Sequence, residues 1–118
     1  MAAELIYHMC KRAEWEAARI SGHYSGSSQD REDGFIHFSR SDQIIESAAK
    51  HRRGQGDLVI IEVDAAALGA ALRWEESRGG RLFPHLYGTL PLSAVVSVDE
   101  LPLGEDGRHR FPAVVLPA

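Results

Sequence analysis

The chain has 118 residues, 44% of them hydrophobic and 25% charged, which predicts one soluble domain able to fold without metal or disulfide. Thirteen basic against seventeen acidic side chains leave a net charge of −4, which argues against a general nucleic-acid or membrane binder. The lone Cys10 excludes an intramolecular disulfide framework, no apolar run approaches the roughly 20 residues of a membrane span, and Met1 to Glu4 open no signal peptide. A cytoplasmic location is the expectation.

Leu5-Ile6-Tyr7-His8-Met9 is short and mixes aromatic with β-branched residues, which predicts a strand. From Lys11 to Ile20, Ala13, Ala17 and Ile20 recur at helical spacing with Trp15 and Ala18 beside them, so a helix with that buried stripe follows and Gly22 ends it. Tyr24 to Asp33, rich in Ser, Gly, Gln and Asp, predicts a loop. In Gly34 to Ser39 the alternation puts Phe35, His37 and Ser39 on one strand face and Ile36 and Phe38 on the other. Ser39 or Ser41 is placed to cap a helix over about Ser41 to Arg53, buried through Ile44, Ile45, Ala48 and Ala49. Lys50 to Arg53 complement its carbonyl end, and Gly54 stops it.

Leu58 to Val63 is nearly all apolar, the pattern of a central strand covered on both faces. Asp64 opens one helical turn to Leu68, and Leu72-Arg73-Trp74-Glu75 reads as a short strand ended by Gly79-Gly80. Pro84 predicts that Phe83 to Gly88 is an edge strand or a strand start. Ala94 to Val98 is the last strand, and residues 104–118 form a hairpin or loose tail behind a core of about 4–103. Helices come early and strands late, so the expected class is α+β: two main helices on a small mixed, largely antiparallel sheet.

Six histidines are about twice the average usage, and His8, His37 and His85 fall inside predicted strands. Ser39 shares a face with His37, and Tyr87 shares one with His85. Such polar groups are costly on a strand unless they meet water, a partner or a ligand. If the three strands are neighbours, they line one cleft with imidazoles, a hydroxyl and a phenol, and Trp74 and Glu75 lie near its edge. Taken singly, each residue also fits a plain structural role: a satisfied strand histidine, a serine helix cap, a rim aromatic, a solvated strand end. A zinc site of His8, His37 and His85 is a third reading, but no His-x-His, His-x-x-x-His or Cys-x-x-Cys spacing supports it, so no metal is expected.

Ile6-Tyr7-His8, Glu14-Trp15, Asp33-Gly34-Phe35-Ile36-His37-Phe38-Ser39 followed by Gln43, Arg73-Trp74-Glu75, and Phe83-Pro84-His85-Leu86-Tyr87-Gly88 together resemble a small, mostly bacterial family, the domain-of-unknown-function family nine-five-two. The resemblance covers about Glu4 to Leu103 and implies a split sheet of the ADP-ribosyltransferase-like superfamily, whose members bind NAD and act at its nicotinamide ribose. It implies NAD as a substrate, His8 on the adenine-side ribose, Ser39 at the nicotinamide ribose, and Glu75, with Glu100 behind it, as the carboxylate that stabilises an oxocarbenium-like transition state. Tyr87 or Trp74 would stack on the nicotinamide, and Arg73 or Arg81 would meet the pyrophosphate. Gln43 and His85 complete the ligand-binding candidates, with Glu75 and His37 as the catalytic ones; His37 and His85 lie outside that superfamily's usual triad. The competing class is a non-catalytic small-molecule binding or interaction domain using the same cleft.

Overall fold

A strand with no solvent-facing residues must be covered twice, so the run from Leu58 makes the strongest demand on the fold. The computed structural model describes residues 4–112. In chain order its elements are β1 (Leu5–Lys11), α1 (Arg12–Ser21), β2 (His23–Tyr24), α2 (Ser28–Asp33), β3 (Ile36–His37), α3 (Ile44–His51), β4 (Leu58–Asp64), β5 (Leu72–Glu76), β6 (Leu82–Leu86), β7 (Leu90–Pro91) and β8 (Val95–Leu101). A 3-10 segment over Ala65–Ala71 is opened by Asp64, whose side chain accepts from Ala66 N. β4 is the middle strand of the sheet β1-β4-β8. One face of β1 and β4 presents Ile6, Cys10, Val59, Ile61 and Val63 to Trp15 and Ala18 of α1 and to Ile36, Phe38 and Leu86. The other presents Tyr7, Met9, Leu58 and Ile60 to Ile44 and Ala48 of α3. Each large aliphatic side chain buried this way contributes about 1.5–3 kcal/mol.

The described strand pairings are all antiparallel, so the expected mixed sheet is instead three antiparallel ones: β1-β4-β8, β2-β7 and β3-β6-β5. The two three-stranded sheets meet at a bridge between Tyr7 and Ser39, closed by two backbone bonds of 2.8 Å. No helix among the described residues is long and apolar enough to cross a membrane.

Several local expectations are corrected. α1 buries Trp15 and Ala18, while Ala13 and Ala17 are exposed and Ile20 is 88% exposed. Alanines surround this helix, and the large Trp15 decides which side turns inward. The segment expected to be a loop contains α2, capped by Ser27 and closed by Gly34 in the left-handed region. α3 starts later than expected, and neither Ser39 nor Ser41 caps it: Gln43 holds the N-cap position without a side-chain cap bond. Its buried face carries Ile44, Ser47 and Ala48, and Ile45 and Ala49 point outward.

Pro84 sits in the middle of β6, which is itself the middle strand of its sheet, against the expectation of an edge. In an antiparallel ladder one residue's N–H and C=O point to the same neighbour. Phe38 N donates to Pro84 O at 3.0 Å, so the missing N–H of Pro84 faces Phe38, just past the end of β3. The ladder loses one bond where it was already ending, and the β5 side stays intact. Beyond β8 the chain takes the hairpin alternative, with Leu103 bridged to His109, and residues 113–118 lie outside the described residues.

Candidate functional site

β1 has β4 on one side and, on the other, the single bridge to Ser39. A cavity of about 620 Å³ runs along this open edge, touching Tyr7, His8, Met9 and Lys11 in succession. The start of α2, the paired histidines of β3 and β6, and the end of α3 supply the other walls. That volume falls within the range of about 300–1,000 Å³ common for small-molecule sites. His8, His37, Ser39 and His85, far apart in the chain, all line it.

Asp30 is the hub of this wall, and the sequence reading missed it. Its Oδ2 accepts from Ser27 N and Oγ at 2.8 and 2.9 Å, and its Oδ1 accepts from His37 N at 3.1 Å and contacts His37 Nδ1 at 2.7 Å. The side chain is 3% exposed. Burial alone would raise this carboxyl; the bond from His37, the nearby His8 and the backbone N–H groups outweigh it and hold it well below the usual carboxylate range. Asp30 is therefore a fixed negative charge that orients the His37 ring. Gly26 makes this approach possible. Its φ is +97°, and a Cβ there would lie 2.7 Å from the Asp30 Cβ. The sequence signal for this arrangement was Ser27-x-x-Asp30, a helix-opening pattern hidden inside a polar stretch.

His37 turns its other nitrogen outward, where Asp33 Oδ2 lies 3.3 Å from Nε2. Its cross-strand partner is His85, with ring centroids 5.4 Å apart. His85 repeats the pattern, because its Nδ1 contacts Glu75 Oε1 at 2.9 Å and Phe35 stacks on its ring at 4.1 Å. Tyr87 Oη donates to the same Glu75 oxygen at 2.7 Å. The Tyr87 and His85 bonds hold the Glu75 carboxyl below its ordinary range, and the carboxylate in turn raises the Tyr87 phenol. Two imidazoles, each anchored through Nδ1 by its own carboxylate, thus stand side by side in one cavity wall.

The remaining candidates take other positions. His8 contacts His37 O through Nδ1 at 2.6 Å and Tyr24 Oη through Nε2 at 2.7 Å, so both nitrogens are committed inside the protein. A nitrogen facing a carbonyl must carry hydrogen, so Nδ1 donates and Nε2 accepts from Tyr24. Burial, the main influence, pushes the His8 pKa down, which keeps this neutral form. Ser39 Oγ is bonded to Ser47 Oγ at 3.0 Å. The Gln43 amide is consumed by the backbone, accepting from Arg40 N at 3.0 Å and donating to Leu82 O at 2.8 Å. Trp74 packs half-buried against the main core, and neither it, Gln43, Glu75 nor Tyr87 lines the cavity. Glu75 reaches the cavity only through His85. Among the described residues no metal-binding cluster of three His, Cys, Asp or Glu forms.

Two cationic side chains, Lys11 and Arg52, also line the cavity, together with Glu14. Arg52 is half-buried, its guanidinium donating to Met9 O and Gln55 Oε1, both at 3.1 Å. Lys11 Nζ donates to Gly56 O at 3.3 Å. The sequence reading treated Lys11 only as the start of the first helix and Arg52 only as part of a helix end.

The family model described as "Protein of unknown function (DUF952)" matches residues 9–98, three-quarters of the chain and every cavity-lining residue except Tyr7 and His8. The chain belongs to the DUF952 family. A crystal structure of protein CC0527 from Caulobacter crescentus is similar, with 47% identity and a TM-score of 0.90 over 94% of this chain and 97% of that one. A solution NMR structure of CC0527 matches at 50% identity and a TM-score of 0.78 over 88% of this chain and 90% of that one. No curated protein matches. Antiparallel sheets with a few helices are thus the shared architecture of this DUF952 member and CC0527.

Proposed function

We propose that the cavity binds a nucleotide-like small molecule of the NAD class and that His37 moves a proton in a hydrolysis or transfer reaction on it. The observation that carries this reading is the Asp30–His37 pair, an imidazole oriented by a buried carboxylate and facing a ligand-sized cavity. A carboxylate at Nδ1 fixes which ring nitrogen works and stabilises the imidazolium that forms when Nε2 takes a proton. Lys11 and the pinned Arg52 supply positive charge for a phosphate or diphosphate, with the Arg52 fork already held in place. The ADP-ribosyltransferase-like resemblance makes the N-glycosidic bond of NAD the first bond to consider.

In that reaction water attacks the anomeric carbon, His37 Nε2 accepts the proton that water loses, and nicotinamide departs neutral. Glu75, outside the cavity, acts on this site only through His85, whose Nδ1 it holds at 2.9 Å. Binding without turnover would instead make the protein a non-catalytic binding domain.

A thermal-shift titration with ADP-ribose and NAD, followed by chromatography for released nicotinamide, tests the reading. A ligand at 100 times its dissociation constant should stabilise the fold by about 2.7 kcal/mol. His37→Ala should lower nicotinamide release by roughly 10²–10⁴-fold. No stabilisation by either nucleotide at millimolar concentration would overturn the proposal.

A further inference from the structure

The cavity wall holds more proton-transfer machinery than glycosidic cleavage uses. Nicotinamide leaves NAD as a neutral base and needs no proton, so one histidine suffices for that step. Here His85 duplicates His37: Nδ1 anchored by a carboxylate, ring in the same wall, centroids 5.4 Å apart. No described residue bonds His85 Nε2, and Phe35 stacked at 4.1 Å fixes the ring plane. Two oriented imidazoles at this spacing can reach different oxygens of one tetrahedral group, within the roughly 2.6–3.2 Å that proton transfer needs.

We infer that His37 and His85 form a general acid–base pair that hydrolyses a phosphodiester of a nucleotide, a bond whose leaving oxygen must be protonated. The inference rests on the reading of the cavity as a nucleotide site, and it adds both the second catalytic residue and the class of bond. His85 Nε2 accepts a proton from water as the water oxygen forms a bond to phosphorus. The bond from phosphorus to the leaving ribose oxygen breaks, and His37 Nε2–H protonates that oxygen. The pair then exchanges protons with solvent, so atoms and charge balance without another reactant. The assignment of roles follows the flanking groups. His37 has a carboxylate at each nitrogen, Asp30 and Asp33 of α2, and donates to both when it carries two protons. His85 has Glu75 at one nitrogen only; Tyr87, His37 and its cross-strand partner Arg73 are the other titratable groups around it. Asp30 and Glu75 are positioning residues, and Lys11 and Arg52 supply the charge that holds a phosphate.

Two probes separate the bonds: 2′,3′-cyclic AMP, whose leaving group is a ribose hydroxyl, and NAD, whose leaving group is nicotinamide. Phosphorus NMR and chromatography should show cyclic AMP opened to a monophosphate, with a bell-shaped pH–rate profile in the unsubstituted protein. His37→Gln should remove the alkaline limb and His85→Gln the acidic limb, each lowering the rate roughly 10²–10⁴-fold. The profile of the unsubstituted protein keeps the test decisive if a variant fails to fold. Nicotinamide release without cyclic AMP opening would overturn this inference and leave the proposed function standing. Binding of either nucleotide without turnover of either would overturn it in favour of a binding domain. Failure of both nucleotides to bind would sink both readings together.

Discussion

Asp30 carries more of this site than any other residue, because one buried carboxylate serves the α2 cap, the His37 ring and the His37 backbone at once. Asp30→Ala leaves Ser27 N, a buried donor, and the two His37 donors without their acceptor. Each buried donor left unmade costs about 1–3 kcal/mol, so a loss of about 3 kcal/mol is expected in urea denaturation. Stability equal to that of the unsubstituted protein would show that the carboxylate is not integral to the fold. Gly26→Ala tests the same contact from the other side. A Cβ at a φ of +97° is strained, and it would press on the Asp30 Cβ from 2.7 Å. The variant should lose more than about 1 kcal/mol and shift the imidazole resonances of His37 even if it folds. Unchanged His37 resonances would contradict the proposed packing.

At the scale of elements, α2 is held by its ends. Its six residues, Ser28-Gln29-Asp30-Arg31-Glu32-Asp33, include no apolar side chain, so burial cannot stabilise it and the Ser27–Asp30 capping box must. Ser27→Ala should cost about 1 kcal/mol and reduce helical circular dichroism only slightly. A helix without an apolar stripe leaves no periodic trace, which is why this stretch reads as a loop from sequence and why Asp30 was missed. β4 is the opposite case. Coverage on two faces requires continuous hydrophobicity, so its central place could be read directly from Leu58 to Val63. His8, His37, Ser39 and His85 were legible as cavity residues because polar side chains on strands need a reason to be there. Composition could not reveal where their hydrogen bonds go: Ser39 turns to Ser47, and His8 to Tyr24 and the His37 carbonyl. Pro84 misled because the rule against central prolines concerns the lost N–H, and only the register with β3 shows that the loss falls beyond the ladder.

For the whole molecule, the buried groups give stability a defined pH dependence. Burial depresses the His8 pKa in the folded state, so its contribution is intact above the unfolded value of about 6.5 and is lost as pH falls below it. Asp30, although burial opposes ionisation, is held low by His37 and His8, so its contribution is intact above about pH 4 and is lost below that. Both signs agree: acid destabilises. Urea midpoints should be flat from pH 9 to pH 7, lower at pH 5.5 and lower again at pH 3.5. A midpoint that rises between pH 7 and pH 5.5 would contradict the neutral, buried His8.

The central claim is that His37 and His85 face a nucleotide-binding cavity. Imidazole-detected ¹H–¹⁵N NMR during an ADP-ribose titration tests it most directly, because all six histidines report at once. The account predicts that the His37 and His85 signals move together and saturate, while those of His23 and His109, which do not line the cavity, stay fixed. Saturable movement of His23 or His109 with His37 and His85 unmoved, or no movement of any histidine at millimolar ADP-ribose, would contradict it.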